Sequence, residues 1–272
     1  MMFKSTVTAL GGLTGLTLLA APAFAQHSGH GDTPERPWSQ ADEYWGTEAM
    51  GEARTELLHH HGSKSFAMVM LDRAEIQFPD DEPVGVIDGN FWYGGDTNKL
   101  YVKFEGEYDF HEDSVHEADV ELLWSRAVST YFDLQTGLRY DIKPDGKAHA
   151  VLGVQGLAPY WFELDGAGYL SEEGDVTFAF ETEYEFLLTQ RLILQPRLEL
   201  SASAQDIADE QVGAGLTNMS AGVRLRYEFT REFAPYIGVE MHKSLGETAS
   251  IQRGLGEDTE ETVLLVGFRA WY

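Results

Sequence analysis

The last twelve residues, Glu261 to Tyr272, constrain the fold more than any other stretch of the chain. Counting back in twos from the terminus gives Tyr272, Ala270, Phe268, Val266 and Leu264. A strand with one apolar face and a terminal aromatic is the closing strand of a bacterial outer-membrane barrel. In such a fold the solvent around the protein is lipid, so apolar residues belong outside and polar ones inside.

The N-terminus carries a matching address. Lys4 precedes a short apolar run from Val7 to Leu19, and Ala23-Phe24-Ala25 has the small-x-small form of a signal-peptidase site. Residues 1–25 read as a signal peptide, with the mature chain starting at Gln26. No later stretch is long and apolar enough for a helical span, so a membrane fold here has to be a barrel. The formal net charge of −26 argues against nucleic acid and favours cations as partners. With no cysteine, the chain has no disulfide, and a metal site has to use His, Met or carboxylates.

Residues 26–63 are polar and read as a flexible periplasmic leader. Within it, Thr47 to His61 predicts a short helix, with Thr47 as N-cap, Met50, Ala53, Leu57 and Leu58 on one side, and Gly62 as its end. From residue 64 onward the period switches to two. Twelve runs predict strands: 65–78, 84–93, 98–110, 116–127, 130–142, 148–158, 160–171, 175–188, 190–203, 217–229, 235–246 and 261–272. Phe104, Phe178, Phe180, Val223 and Leu225 share the apolar parity, opposite Glu105, Glu181, Glu183, Arg197, Arg224 and Arg226. A soluble sandwich would alternate in the same way. The connections favour a barrel, because every second one is short and the others are longer and acidic. The expected fold is therefore all-β: a transmembrane, antiparallel, up-and-down barrel of about twelve strands with both termini in the periplasm. Aromatics near strand ends, among them Tyr93, Tyr131, Tyr160, Trp161, Trp92, Tyr236 and Trp271, predict an interfacial girdle. The charged lining predicts either a narrow aqueous lumen or one closed by salt bridges.

Six stretches carry a more specific signal: Phe91–Leu100, Glu121–Arg126, Asp133–Asp141, Ala150–Glu163, Leu187–Glu199 and Arg231–Val239. Together they resemble the copper resistance protein B family over about Met50 to Tyr272. The resemblance implies an outer-membrane barrel that acts in copper tolerance beside periplasmic copper-handling proteins, with copper ions as cargo. Family members often carry Met-His repeats in the leader. Here the leader has Met50 alone, with His27, His30 and His59-His60-His61.

Thioethers suit Cu(I), and imidazoles suit either copper oxidation state. The candidate ligands are His59, His60, His61, His27, His30, Met68, Met70 and His242. Adjacent helical residues diverge by about 100°, so the His59–His61 run offers one or two imidazoles to a shared ion, or simply complements the helix C-terminal dipole. Met68, Met70 and Asp72 share one face of the first strand, while Arg73, Glu75 and Gln77 share the other. Arg73, Glu75 and Gln77 favour the reading in which Met68 and Met70 face lipid and Asp72 is the anomaly, unless a bulge shifts the register. Met241 falls on the lipid parity and His242 on the lumen parity. His111, His116 and His149 lie in or beside outer loops. The functional expectation is a non-enzymatic copper-binding barrel that transports or sequesters the ion. The alternatives are a nonspecific cation porin and a barrel hydrolase built on His111 and its acidic neighbours, although no Gly-x-Ser-x-Gly element occurs.

Overall fold

The computed structural model describes residues 40–272 apart from positions 63, 80, 81 and 145. The signal peptide, His27 and His30 lie outside the described residues. The chain divides into two compact units, with the boundary between Glu56 and Leu57.

Before the strands come two helices, α1 (Asp42–Trp45) and α2 (Thr47–His61). Gly46 separates them at φ +83°, a conformation that suits glycine. Its carbonyl accepts from the Met50 amide at 3.1 Å, so Gly46, not Thr47, holds the cap position. Arg54 grips Asp42 through two hydrogen bonds of 2.6 and 2.9 Å. That contact holds the Asp42 carboxyl below the usual carboxylate range. At the far end the Gly62 amide donates to Leu58 at 2.9 Å and closes α2 where the sequence places its stop.

Twelve strands follow: β1 (Phe66–Phe78), β2 (Val84–Gly94), β3 (Asn98–Asp109), β4 (Ser114–Ala127), β5 (Phe132–Lys143), β6 (Lys147–Ala158), β7 (Phe162–Ser171), β8 (Val176–Glu183, resuming at Phe186–Leu187), β9 (Leu192–Ser203), β10 (Gly215–Tyr227), β11 (Phe233–Ser244) and β12 (Glu260–Trp271). Each pairs antiparallel with the next, and β12 returns to β1 with Val266 opposite Ile76 and Trp271 opposite Met70. The sheet closes on itself, and among the described residues only the short Phe186–Leu187 resumption of β8 pairs on one side alone. The terminal residue takes part, since Val69 and Tyr272 exchange both backbone hydrogen bonds at 2.9 Å.

The gap in β8 has a local cause. The Tyr184 amide donates to the Pro196 carbonyl at 3.2 Å, so Pro196 turns its backbone groups toward β8. Proline has no N–H to return, and the ladder breaks opposite it.

The loop pattern is only partly as expected. The turns at the end where β1 starts and β12 finishes are short, but four connections at the opposite end are equally short. The length difference sits in two loops, 204–214 and 245–259. The second carries a helix the sequence pattern does not announce, α3 (Gly246–Leu255). The two loops are tied together by the Gly213 amide, which donates to the buried Thr248 hydroxyl at 3.0 Å.

Polarity is inverted across the wall. Leu122, Leu138, Leu152, Ile237 and Leu264 are each more than half exposed on the outside, while Glu75, Glu121, Arg197, Arg224 and Glu240 are buried inside. Phe178, Phe180 and Val223 are exposed on the outer face, as their parity requires. Tyr93, Tyr131, Tyr160 and Trp161 stand exposed near strand ends, as a girdle requires. Tyr236 and Trp92 do not join them. Tyr236 is buried and donates to Glu75 at 2.9 Å, and Trp92 packs against an inner apolar patch of Tyr101, Leu123 and Val151. No helix among the described residues is long and apolar enough to cross a membrane.

Part of the interior is filled by one ion-pair network. Arg224 contacts Glu75 at 2.9 and 3.1 Å and Glu240 at 2.6 Å, and Gln77 donates to Glu75 at 2.9 Å. Arg197 reaches Glu181 at 2.6 Å, Glu199 at 3.0 Å and Glu240 at 3.5 Å.

Two outcomes follow. Phe180→Arg puts a charge on the lipid face and is expected to cost about 2–4 kcal/mol if the position is near the midplane; reversible urea unfolding in lipid vesicles measures it. Arg224→Met removes the cation between two buried carboxylates and is expected to cost about 3–5 kcal/mol in the same assay. A loss below about 1 kcal/mol would show that water, not Arg224, solvates Glu75 and Glu240.

Candidate functional site

The site begins with one extra residue in β1. Met68 pairs with Trp92, Met70 with Asn90 and Leu71 with Gly89, but the next partner of β2, Asp88, pairs with Arg73. Asp72 is the bulged residue, and the β12 side shifts over the same stretch. Before the bulge, even-numbered residues face inward; after it, odd-numbered residues do. Met68, Met70 and Asp72 therefore share the lumen with Arg73, Glu75 and Gln77, which strict alternation forbids. Gly89 makes the crossing possible, because a Cβ there would meet the Met70 carbonyl at 2.5 Å. On the outside, the Phe104 ring covers this glycine.

Around the bulge the contacts are polar and close. Asn90 donates to Asp72 at 3.0 Å, and Arg73 contacts Asp88 at 2.9 Å and Glu105 at 2.8 Å. Arg269, near the end of β12, sets Nη2 3.1 Å from the Met70 sulfur, Nε 3.1 Å from Asp72 and Nη1 3.1 Å from Glu185.

Asp72, Arg73, Asp88, Asn90, Glu105 and Arg269 line a lumen cavity of about 470 Å³. Its lining includes ten carboxylates, among them Asp72, Glu163, Asp165 and Glu183, against six cationic side chains, among them Arg73, Lys103 and Arg269. The excess is negative, so the cavity attracts cations. Lys103 pairs with Asp165 across the sheet, and Arg139 joins Asp119 at 3.2 Å and Asp141 at 2.6 Å.

The other candidate ligands are scattered. His242 lies on the lumen face of β11 near the end opposite the termini. Its Nδ1 is 3.0 Å from the Ser220 hydroxyl, and its buried Nε2 has no hydrogen-bond partner among the described residues. His149 is not a solvated loop residue. It sits on β6, mostly buried, with Nε2 2.8 Å from Asp141 and its ring edge-on to Tyr169. His59 and His60 at the end of α2 place their rings 5.1 Å apart, edge to face. His111 and His116 pair with loop carboxylates, His111 with Glu82 at 3.2 Å and His116 with Glu112 at 3.3 Å. Asp109 accepts the backbone N–H groups of His111 and Glu112, so it braces a turn. Among the described residues, no three His, Asp or Glu side chains gather as a metal site. The thioethers of β1 stand apart from that count, being soft ligands of another kind.

Sequence reasoning left Arg269 unremarked. The signal was present, since Arg269 is the one charged residue between Leu264 and the terminus and shares the lumen parity of Leu265 and Gly267.

Comparison with known proteins agrees with this architecture. The copper resistance protein B precursor (CopB) family matches residues 65–272, the whole barrel. "Copper resistance protein B" of Escherichia coli is 39% identical over 241 residues, covering 88% of this chain and 79% of that one. "Copper resistance protein B homolog" of Pseudomonas syringae pv. tomato (strain ATCC BAA-871 / DC3000) is 35% identical over 213 residues, covering 78% of this chain and 72% of the relative. Among solved structures, a NanC porin superposes with a TM-score of 0.51 at 9% identity, covering 74% of this chain and 98% of the porin, a likeness of fold alone. On the family match and both relatives, the chain belongs to the copper resistance protein B family.

Proposed function

We propose that this protein is a non-enzymatic outer-membrane barrel that contributes to copper resistance by binding copper ions inside its lumen, as a selective passage or store. The observation that carries the reading is the inward turn of Met68, Met70 and Asp72 at the bulge of β1. Two thioethers and a carboxylate on one wall form a ligand set that suits Cu(I) far better than Ca²⁺ or Mg²⁺. The set lies near the end of the barrel where the chain begins and ends. With an even strand count and a signal peptide, that end belongs to the periplasm, where copper-handling proteins would meet it. Beyond it, the carboxylate-rich cavity gives a cation a favourable place to stay. The crowding of Arg73, Arg197 and Arg224 into the lumen counts against a general porin.

The imidazoles of His59, His60 and His61 suit a capturing role. They precede β1 by only a few residues in the chain, so an ion bound there is held close to the first strand by the covalent tether. His242, with one imidazole nitrogen unengaged, suits a later position toward the opposite mouth.

Purified protein in liposomes, supplied with Cu(I) under reductant, tests the reading. Binding with selective flux supports passage, binding without flux supports storage, and equal flux of many cations supports a porin instead. Met68→Leu with Met70→Leu conserves volume and removes both sulfurs. Copper binding is expected to fall about tenfold or more, the scale of losing one supporting group at a metal site. His59→Ala, His60→Ala and His61→Ala together are expected to lower copper binding and tolerance while the barrel still inserts and shows heat-modifiable gel migration. Unchanged stoichiometry and tolerance would reduce those histidines to a solvated helix end.

A further inference from the structure

The guanidinium of Arg269 stands among three side chains of kinds that also ligate metal ions. Its three nitrogens point at three separate groups: the Met70 sulfur, the Asp72 carboxylate and the Glu185 carboxylate, each at 3.1 Å. A thioether and two carboxylates held around one arginine are groups that a soft cation could use once the guanidinium moves aside. The fit is also imperfect in a telling way. A thioether is a poor acceptor for an N–H group, so the sulfur contact gives Arg269 little. The Asp72 contact through Nε lacks hydrogen-bond alignment. Only Glu185 holds the guanidinium well, and Glu185 also accepts from Arg226. Arg269 is thus mostly an electrostatic tenant of a site whose sulfur it cannot use.

We propose that Arg269 is the specificity-determining residue of the lumen site, a tethered internal cation that excludes hard ions and yields only to thiophilic ones. This rests on the reading that copper uses the lumen thioethers. The argument is one of exchange. An incoming cation has to displace the guanidinium from Asp72 and Glu185, so it forfeits the advantage that charge alone would give it. Ca²⁺ and Mg²⁺ prefer all-oxygen shells and gain nothing from Met70. Cu(I), and its redox-stable mimic Ag(I), gain a bond to sulfur that the guanidinium never made. The sulfur contact therefore decides the exchange. The displaced guanidinium has somewhere to go, since Glu163 and Glu183 line the same cavity. Coming from the last strand, Arg269 makes the site complete only once the barrel has closed.

Titration of detergent-folded full-length protein with Ag(I) and with Ca²⁺, followed calorimetrically, tests the assignment. The wild-type protein is expected to bind Ag(I) in the lumen and no Ca²⁺ there. Arg269→Gln is expected to bind Ag(I) about tenfold more tightly, the scale of one partly buried ion pair removed from competition, and to gain Ca²⁺ binding that Asp72→Asn abolishes. Arg269→Lys retains the charge but holds one partner at a time, so a smaller gain is expected. Unchanged or weaker Ag(I) binding in both variants, with Ca²⁺ still excluded, would overturn the proposal and leave Arg269 as a strut between β12 and β8. Should Arg269→Gln fail to fold, the Arg269→Lys result decides alone. Met70→Leu separates the two levels. If it binds Ag(I) like the wild type, the thioether reading itself fails, whereas a loss there with no change at Arg269 overturns only the exclusion.

Discussion

Hydrocarbon offers no partner to a backbone N–H or C=O, and the chain meets that condition by closing its sheet. The last strand pairs with the first, and even Tyr272 exchanges two backbone hydrogen bonds with Val69. Closure has a second consequence, because it defines an inside that lipid cannot reach. Every residue of the wrong parity for lipid must be accommodated there, and in this chain many of those residues are charged. The interior is then a problem in electrostatics. Isolated buried charges are costly, while paired and hydrogen-bonded ones are tolerable. Arg224 between Glu75 and Glu240, and Arg197 among Glu181, Glu199 and Glu240, are solutions of that kind. They also crowd the bore beside a lumen cavity of about 470 Å³.

Most of the fold was legible because period two is a strong signal when one face meets lipid. The exposed Phe178, Phe180 and Val223 and the buried Arg197 and Arg224 follow from parity alone. Helix α2 was legible too, from its helix formers and from Gly62 after the last periodic residue. What parity cannot carry is an inserted residue. The bulge at Asp72 leaves no mark in composition, and counting across it assigns either Met68 and Met70 or Arg73 and Glu75 to the wrong side. The girdle was overread for a related reason. Trp92 and Tyr236 lie near strand ends, but their parity turns them inward, and Tyr236 is held there by Glu75. Position along a strand does not determine which face a residue takes.

The candidate site was less legible than the fold because it is assembled across distant strands. Met70 and Arg269 are 199 residues apart in sequence, and Arg269 and Glu185 are 84 apart. Histidine count, the most visible metal signal, pointed at α2 and at loops where the imidazoles face solvent or acidic neighbours. His149, which looked like a loop residue, is instead part of the inner wall beside Asp141. His242 was the exception, placed on the lumen side by simple alternation with Glu240.

The two features that define the site depend on one another. Without the bulge, β1 could not keep Arg73 and Glu75 in the buried network and also present Met68, Met70 and Asp72 to the lumen. The bulge sits in β1, which has the second strand, β2, on one side and the last, β12, on the other. It thus shifts the register of β1 against both neighbours at once, one of them across the closing seam. Asp72 then lacks a β2 ladder partner, and its carboxylate turns to Asn90 of β2 and Arg269 of β12. A barrel that needed only structural salt bridges would gain nothing from this arrangement, since Arg269 already has Glu185. Placing a thioether on the third face of that guanidinium is a choice that structure alone does not require. Sulfur adds little to an ion pair and a great deal to a soft metal ion, so the chemistry of Met70 points past the fold to the cargo.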